Sequence, residues 1–307
     1  GLDFEVAKLV KSKYEIRKKM QEKYITNVPQ FYEVSKIEEL YEIKDKIKFP
    51  IILKPCSGLG SLYVYKIDDF ETLMQKIQEV INGSFNGRAL IETFIEGQEY
   101  GIESFVYNGK VHILAIMKKN MTNLPYRSEL GHSTPSELPR EIESKIEEIV
   151  SRLIREIGIK NGPVNMDMIL SKENEPYIVD VGARMGGNAI TSHIVPHSKG
   201  IDHVGNIIKL AMGEKDIDLE PKFDRCIATR ILDLDEGIIK ELPDFKKYMD
   251  DNVIEICFEK SVGDKIEKYI SDAQRCGLII VKGTDIEKTK KKALEVRNRI
   301  NRDIVRE

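Results

Sequence analysis

Two short runs of alternating apolar residues, 163–170 and 176–181, constrain the fold more than any other part of this 307-residue chain. Alternation with a period of two is typical of a strand that buries one face. Only five residues, all polar, separate the two runs. The pattern therefore predicts two adjacent strands joined by a short connection.

Each of these predicted strands carries one aspartate, Asp167 in the first and Asp180 in the second. Two carboxylates on adjacent strands can point to one face and share a hard cation, which prefers oxygen ligands. The pair predicts a metal site. The alternative is that each aspartate is an edge residue or a turn cap.

The remaining periodicity predicts a mixed chain of helices and strands, not a regular βαβ alternation, so we expect the α+β class. Amphipathic patterns predict helices over 4–22, 36–47, 70–80, 140–157 and 202–212 and from residue 286 onward. Apolar and β-branched runs predict further strands over 31–34, 50–54, 62–67, 88–93, 99–107, 110–118 and 277–281. Ser35 and Glu38 form a capping-box pattern before the second helix, and 119–139 is interpreted as a polar loop.

Lys54 ends a predicted buried strand and is followed by a glycine loop that contains Gly58 and Gly60. A cation beside a loop whose backbone N–H groups can approach closely suits a polyphosphate. The lysine precedes the glycines, so this is not the order of a P-loop. A plain turn between two strands is the alternative.

Two further segments suit a nucleotide or an acid. Arg184 lies in a glycine-rich stretch, 182–188. An arginine there can hold a carboxylate or a phosphate through two hydrogen bonds. The alternative interpretation is that Arg184 forms an ion pair with a neighbouring acid. Residues 90–99 form an apolar strand that breaks at Gly97 between two acids. Such a strand end can hold an adenosine, and a solvated connection between strands is the alternative.

The charge balance excludes two classes of partner. Lys and Arg number 48 against 51 Asp and Glu, so no field of one sign is available to hold nucleic acid or an anionic membrane. Cys56, Cys226, Cys257 and Cys276 lack metal-site spacing, and no leader or membrane-spanning run is visible. We expect a cytoplasmic protein with reduced, buried thiols and with no nucleic-acid or membrane partner.

Taken in order, these motifs resemble the ATP-grasp superfamily, in its carboxylate–amine ligase branch. That branch includes biotin carboxylase, carbamoyl phosphate synthetase, D-alanine–D-alanine ligase and the bacterial L-amino-acid ligases. The stretches that carry the resemblance are 13–17, 49–55, 57–61, 91–100, 131–135, 162–167 and 178–187. The likeness extends from about Lys13 to the C-terminus, nearly the whole chain.

The resemblance implies an ATP-grasp fold with two α/β lobes, the nucleotide between them, and a C-terminal α/β subdomain. The implied boundaries are 1–25 for a linker helix with the first phosphate lysine, 26–98 for a small lid lobe, 99–221 for a large lobe and 222–307 for the C-terminal subdomain.

The resemblance also implies an ATP site. The residues implied to bind the nucleotide are Lys13, Lys54, Ser57, Gly58, Gly60, Ser61, Glu92, Thr93, Phe94, Ile95, Glu99 and Ile169. The two lysines would contact the phosphates, and the loop at 57–61 would close over them. Residues 92–95 would line the adenine, Glu99 would hold the ribose, and Ile169 would pack under the base.

For the reaction, the resemblance implies that Asp167 and Asp180 bridge Mg²⁺, or Mn²⁺, to the β- and γ-phosphates. Arg184 would hold the acyl phosphate or the substrate carboxylate. His132 and Glu129 match a Glu-x-Gly-His segment found near the acceptor. A simple loop histidine and a surface glutamate are the alternatives for these two.

The sequence departs from the family in its metal carboxylates, which are commonly Glu and are both Asp here. An Asn that often follows the second acid is replaced by Gly182. A Rossmann-like domain usually precedes the Lys13 motif and is absent here, so we expect a longer native protein or a separate partner chain. Lys118 or Lys119 can reach a nucleotide, but the favoured interpretation of both is a solvated strand end.

The expected function is an ATP-dependent ligase that activates a small-molecule carboxylate as an acyl phosphate for attack by an amine. An ATP-binding module without independent catalysis is the alternative. Biotin carboxylase itself is disfavoured because the chain is short and carries no biotin-carrier motif. A homodimer is left open.

Overall fold

The computed structural model describes residues 1–58, 60, 62–124 and 126–307. The α-helices are α1 (Phe4–Val10), α2 (Lys13–Glu22), α3 (Glu39–Ile43), α4 (Phe70–Gly83), α5 (Arg140–Ile157), α6 (Val195–Lys199), α7 (His203–Met212) and α8 (Ile286–Asp303). The strands are β1 (Phe31–Val34), β2 (Ile51–Pro55), β3 (Tyr65–Ile67), β4 (Ala89–Thr93), β5 (Gly97–Tyr107), β6 (Lys110–Met121), β7 (Glu129–Thr134), β8 (Gly162–Ser171), β9 (Pro176–Gly182), β10 (Cys226–Ile231), β11 (Gly237–Glu241), β12 (Val253–Phe258), β13 (Lys265–Ile266), β14 (Gly277–Gly283) and β15 (Val305–Arg306). Short 3₁₀ turns lie at Lys44–Lys46, Phe245–Tyr248 and Asp272–Gln274, and a π-helical turn lies at Ile190–Ile194.

A four-stranded antiparallel sheet forms the first lobe, in the order β1-β4-β2-β3. Helix α4 covers one face of this sheet, because its apolar residues recur with helical spacing. Leu73 and Ile77 of the helix are buried with Leu53 and Ile91 of the sheet. The first lobe therefore has a hydrophobic core of its own.

Asp69 is the N-cap of α4, and its Oδ1 accepts a hydrogen bond from the backbone N–H of Thr72 at 2.8 Å. We expect Asp69→Ala to lower the free energy of unfolding by about 1 kcal/mol, because an N–H of the first turn loses its acceptor. Asp68→Ala is the control, since Asp68 only pairs with Lys66 at the surface; we expect a change below about 0.5 kcal/mol. Urea denaturation compares the variants, and equal losses would contradict the capping role.

An eight-stranded sheet forms the second lobe, in the order β12-β14-β10-β7-β6-β5-β8-β9. Three of these strands, β10, β12 and β14, belong to the segment predicted as a C-terminal subdomain. That segment thus extends the sheet of the large lobe, and it adds a small sheet of β11, β13 and β15 with α8. The domain boundaries given above stay predictions.

The two adjacent strands predicted from alternation are β8 and β9, which pair antiparallel with Asp167 opposite Asp180. Side chains of a strand alternate between the two faces of its sheet. Met166 and Met168 therefore pack in the core beneath α5, whereas Asp167 points to the other face. This alternation separates the core of the lobe from the face that carries the charged residues.

Two predictions of local structure are wrong. The helix expected over 4–22 is divided into α1 and α2, because Ser12 caps α2 and accepts a hydrogen bond from the N–H of Glu15 at 3.3 Å. The loop expected over 119–139 contains β7, whose backbone pairs with β6 on one side and with β10 on the other. These distant partners supply hydrogen bonds that local periodicity does not reveal.

The second helix and one of the thiols also differ from expectation. The N–H of Ser35 donates to the carboxylate of Glu39 at 2.7 Å and not to Glu38, so the helix begins later and is shorter. Cys56 is buried as expected, whereas Cys257 is exposed because it lies with Glu255 on the solvent-facing side of β12. None of the described helices combines the length and the apolarity that crossing a bilayer requires.

Candidate functional site

A cleft of about 850 Å³ lies between the two lobes, with the small sheet on one side and the large sheet on the other. Every predicted site residue that the structure describes lines this cleft. These residues are Lys13, Lys54, Ser57, Gly58, Gly60, Glu92, Thr93, Phe94, Ile95, Glu99, Glu129, His132, Asp167, Ile169, Asp180 and Arg184. Ser61 lies outside the described residues. The fold thus gathers the predicted set in one place, while the individual roles stay predictions.

Lys54, at the end of β2, and Arg17, on α2, share the buried carboxylate of Glu92 on β4. Lys54 Nζ donates to Glu92 Oε1, and Arg17 Nε donates to Glu92 Oε2 at 3.0 Å. Burial disfavours a charged Glu92, but the two cations outweigh burial and hold the pKa of this carboxyl below its usual range. The carboxylate therefore anchors Lys54, and the implied adenine contact of Glu92 stays a prediction.

Helix α2 carries two cations that contact the sheets. Lys13 Nζ lies 3.1 Å from Asp180 Oδ1 on the large sheet. Arg17 binds Glu92 on the small sheet, and its Nη2 also donates to the carbonyl of Val179 on the large sheet at 2.8 Å. Arg17 is fully buried and was missed by the sequence reasoning. The available signal was its spacing of four residues from Lys13, because side chains four apart share one face of a helix.

The glycine loop after β2 is fixed at its first residue. The N–H of Ser57 donates to Ser84 Oγ at 3.3 Å, and the carbonyl of Ser57 accepts from the N–H of Phe85 at 2.9 Å. Gly60 has a φ of +67°, a left-handed conformation that favours glycine. Because a glycine leaves its N–H accessible, Gly58 and Gly60 can offer donors to an anion in the cleft.

Asp167 and Asp180 fit a magnesium ion that arrives with phosphate. Magnesium commonly takes one or two protein carboxylates and completes its shell with phosphate and water oxygens. The two aspartates are cross-strand neighbours, and their side chains are 32% and 44% exposed. Within the described residues, no group of three or more His, Cys, Asp or Glu side chains gathers to hold a metal. Asp167 and Asp180 are therefore suited to a metal ion whose coordination shell is completed by phosphate oxygens.

A lysine contacts each of these aspartates. Lys119 Nζ lies 3.0 Å from Asp167 Oδ1. Lys13 Nζ lies 3.1 Å from Asp180 Oδ1. Partial desolvation in the cleft acts to raise the pKa of Asp180, but the positive charges of Lys13 and Lys54 outweigh it and hold that pKa below its usual value. The solvated strand end expected for Lys119 is wrong, because the side chain is only 8% exposed among acids of the cleft. Burial acts to lower the pKa of Lys119, but the negative charges of these acids outweigh burial. The net effect raises the pKa of Lys119 above its usual range.

Glu129 and His132 are neighbours in the cleft, and the position near the acceptor that the resemblance implies for them stays a prediction. Glu129 Oε1 accepts from Asn188 Nδ2 at 2.7 Å and lies 3.1 Å from His132 Nδ1. His132 is 2% exposed, and burial lowers the pKa of its imidazole below the usual value. Burial also acts against a charged Glu129, but His132 and Lys119 hold the pKa of that carboxyl low. Neither residue is a surface side chain.

Arg184 follows β9 and presents its guanidinium to the cleft. Its side chain is exposed, and its Nη1 donates to the backbone carbonyl of Met185 at 2.7 Å. Among the described residues, no acid forms an ion pair with Arg184 at 4 Å or less. The expected alternative, a pair with a neighbouring acid, is therefore absent, and the guanidinium can receive a carboxylate or a phosphate.

A buried carboxylate that the sequence did not reveal fixes the backbone near Arg184. Glu103 is fully buried on β5, and its Oε1 accepts from the N–H of Gly186 at 3.1 Å and contacts His203 Nε2 at 2.9 Å. Its Oε2 accepts from Asn165 Nδ2 at 2.9 Å. A single Glu inside an apolar strand gave no signal of this role, because its partners are far away in the sequence.

Glu99 and Ile169 are neighbours on the cleft face of the large sheet. They lie opposite each other across β5 and β8, so their side chains share one face. Glu99 Oε1 accepts from Arg127 Nη2, an arginine that the sequence reasoning missed. On the small lobe, Lys66 Nζ lies 5.4 Å from the centre of the Phe94 ring. Apolar surface beside a carboxylate suits a base with its ribose.

A protein-family model, described as an ATP-grasp domain, matches residues 47–192 of this chain. D-alanine–D-alanine ligase B of Clostridium perfringens is 26% identical, over 55% of this chain and 58% of that protein. The L-arginine-specific L-amino acid ligase of Bacillus subtilis is 23% identical, over 63% of this chain and 48% of that protein. The chain spans about half the length of the curated relatives it matches.

Solved structures share the whole described fold. An L-amino acid ligase from Bacillus licheniformis superposes with a TM-score of 0.86 at 24% identity, covering 100% of this chain and 75% of that one. A phosphoribosylglycinamide synthetase from Anaerococcus prevotii gives a TM-score of 0.73 at 28% identity, covering 100% and 77%. The two lobes and the cleft between them are thus an arrangement found in known proteins.

Proposed function

We propose that this chain belongs to the ATP-grasp superfamily and is an ATP-dependent ligase, which activates a carboxylate as an acyl phosphate for attack by an amine. The observation that carries the proposal is the convergence of two lysines, two aspartates and an arginine on one cleft. The relatives named above include ligases, which supports this reaction class. Their greater length makes a further domain or partner chain part of the proposal.

In this proposal, ATP lies with its phosphates between Lys54, Lys13 and the glycine loop. A triphosphate is a strong anion, and buried cations interact with it more strongly than solvated ones. Lys54 is held in place by Glu92, so little side-chain entropy is lost when it binds a phosphate. The base and ribose would lie against Ile169 and Glu99.

Asp167 and Asp180 are the residues proposed to hold Mg²⁺ or Mn²⁺, which when bound neutralises charge on the β- and γ-phosphates. Their own task is to present oxygen ligands on one face of β8 and β9. Lys13 and Lys54 add positive charge from the other side of the cleft. Charge that develops on the transferred phosphoryl group is then stabilised by groups already in position.

In the first proposed step, an oxygen of the substrate carboxylate attacks the γ-phosphorus of ATP, the bond to the β–γ bridging oxygen breaks, and ADP leaves. In the second, the amine nitrogen attacks the carbonyl carbon, phosphate leaves with the bonding electrons, and the nitrogen loses a proton. Arg184 is suited to hold the carboxylate. Burial lowers the pKa of His132, which favours the neutral imidazole, and that form can accept the proton beside Glu129.

The test is the release of phosphate from ATP with amino acids supplied singly and in pairs. We expect the matching pair to raise release by about tenfold or more, because attack by the amine consumes the acyl phosphate. Arg184→Met should lower the stimulated rate by about 10²–10³-fold. Arg140→Met is the matched control, since that side chain is 70% exposed on α5 and pairs with Glu147; its rate should equal the wild-type rate.

Two outcomes would count against the ligase reaction. Phosphate release that no amino acid stimulates, in the native full-length protein as well as in this chain, would contradict it. Tight binding of ATP in calorimetry without turnover would instead support a nucleotide-binding module. Loss of that binding in Lys54→Ala would then assign it to this cleft.

A further inference from the structure

The two aspartates proposed to hold the metal each form a direct ion pair within the cleft. Lys119 Nζ lies 3.0 Å from Asp167 Oδ1, and Lys13 Nζ lies 3.1 Å from Asp180 Oδ1. The side chains of Lys119 and Lys13 are 8% and 17% exposed, so water screens these pairs weakly. Lys119 Nζ also lies 3.4 Å from Glu129 Oε2. Each carboxylate thus has a lysine ammonium group in direct contact.

The charged side chains of the cleft nearly balance. In the part of the chain that the structure describes, seven Lys and Arg residues and six Asp and Glu residues line it. A bare divalent cation would enter a region without net negative charge and approach two ammonium groups closely. Like charges at such distances repel, and they repel more strongly where water is partly excluded. The protein groups of the cleft by themselves therefore form a poor site for a free metal ion.

A nucleoside triphosphate reverses this balance. Its phosphates offer Lys13 and Lys119 new anionic partners, which frees oxygens of Asp167 and Asp180. The phosphates also supply the remaining ligands that a magnesium-like ion needs. Lys119 keeps Glu129 as a second partner, so it does not lose all of its contacts when it leaves Asp167.

We propose that Lys119 and Lys13 act as internal counter-ions for Asp167 and Asp180, so that the cleft takes up its divalent cation together with the nucleotide and not before it. This inference rests on the proposed nucleotide function of the cleft. Binding of metal and of nucleotide is then positively coupled. By thermodynamic linkage, each raises the affinity for the other by the same factor.

Mn²⁺ is the probe, because electron paramagnetic resonance follows its binding without turnover. For the wild-type chain we expect weak binding of Mn²⁺ alone and binding about tenfold tighter, or more, with a non-hydrolysable ATP analogue. Lys119→Met should raise the affinity for Mn²⁺ alone by about tenfold, because Asp167 loses its competing cation. The coupling factor between metal and analogue should fall accordingly.

Lys118→Met is the matched control for this substitution. Lys118 is the adjacent residue of β6 and pairs with Glu137 at 3.3 Å, so its loss removes the same charge without freeing Asp167. Its Mn²⁺ affinity should equal that of the wild type. In the double variant Lys119→Met with Asp167→Asn, the gain should disappear. Circular dichroism checks that each variant is folded.

A folded Lys119→Met protein whose affinity for Mn²⁺ alone is unchanged or weaker overturns the proposal. So does a wild-type chain that binds Mn²⁺ equally well with and without the analogue. If the analogue does not bind at all, the proposed function fails instead, while the titration without nucleotide still tests the counter-ion. If Lys119→Met does not fold, Lys13→Met makes the same comparison at Asp180.

Discussion

Replacing Glu92 with glutamine is expected to lower the free energy of unfolding at pH 7 by about 3–5 kcal/mol, the usual cost of breaking a buried ion pair from one side. Glutamine keeps the shape of the side chain and loses its charge. Arg17 and Lys54, whose side chains are 0% and 8% exposed, would then face each other without an anion between them. The expected loss comes mainly from these two uncompensated buried cations.

The effect of Glu92→Gln should depend on pH in a defined direction. The pKa of Glu92 in the folded protein is held below its ordinary value of 4.5. A carboxyl with a lowered pKa contributes stability above its unfolded pKa, and this contribution is lost as pH falls through the folded pKa. The difference between wild type and variant should therefore be largest at neutral pH and shrink below about pH 4.5.

Urea denaturation at a series of pH values between neutral and acidic measures this difference. Glu79→Gln is the matched control, because Glu79 is a carboxylate 41% exposed on α4 that pairs with Lys76 at the surface. Glu79→Gln should lower the free energy of unfolding by less than about 1 kcal/mol at every pH. A loss for Glu92→Gln that is as small as the control, or that does not change with pH, would refute the buried ion pair.

The parts of the site that the sequence predicted depend on local pattern. Alternation with a period of two fixes which residues of a strand share a face, and β8 and β9 are joined by so short a connection that their pairing follows. Asp167 and Asp180 could therefore be placed side by side before any coordinates. Lys54 and the glycine loop were found in the same way, since a strand end and its following turn are adjacent in sequence.

The parts that were missed are contacts between distant segments. Arg17 and Glu92 are 75 residues apart, and Glu103 and His203 are 100 residues apart. A charged residue within an apolar strand looks the same in the sequence whether it is solvated or buried with a partner. Only the packing of α2 and α7 against the sheets decides between these states, and that packing is a property of the whole fold.

Lys119 shows why exposure was misjudged at a strand end. The pattern of β6 suggested that its last residues reach solvent, but β7 continues the sheet beside it. Strand β7 has little apolar alternation and is formed by pairing with β6 and β10. Since β7 was interpreted as loop, the residue that it covers was interpreted as solvated. One missed long-range pairing thus hid a charged residue of the cleft.

Asp180→Asn is expected to weaken the binding of Mn²⁺ in the presence of an ATP analogue by about 100-fold or more, because even partners of metal ligands are worth 10–100-fold. An amide oxygen carries no charge, so it is a poorer ligand for a hard cation than a carboxylate. The stimulated release of phosphate should fall by about 10²–10³-fold. Asparagine keeps the shape of the side chain, so the fold should be retained.

Electron paramagnetic resonance with Mn²⁺ and a phosphate assay measure the two effects on the same preparation. Asp216→Asn is the control, because that side chain is 93% exposed and does not line the cleft. It should bind Mn²⁺ and release phosphate as the wild type does. If Asp180→Asn retains the wild-type affinity for Mn²⁺ with the analogue, Asp180 is not a metal ligand. Its contact with Lys13 would then serve to hold α2 on the large sheet.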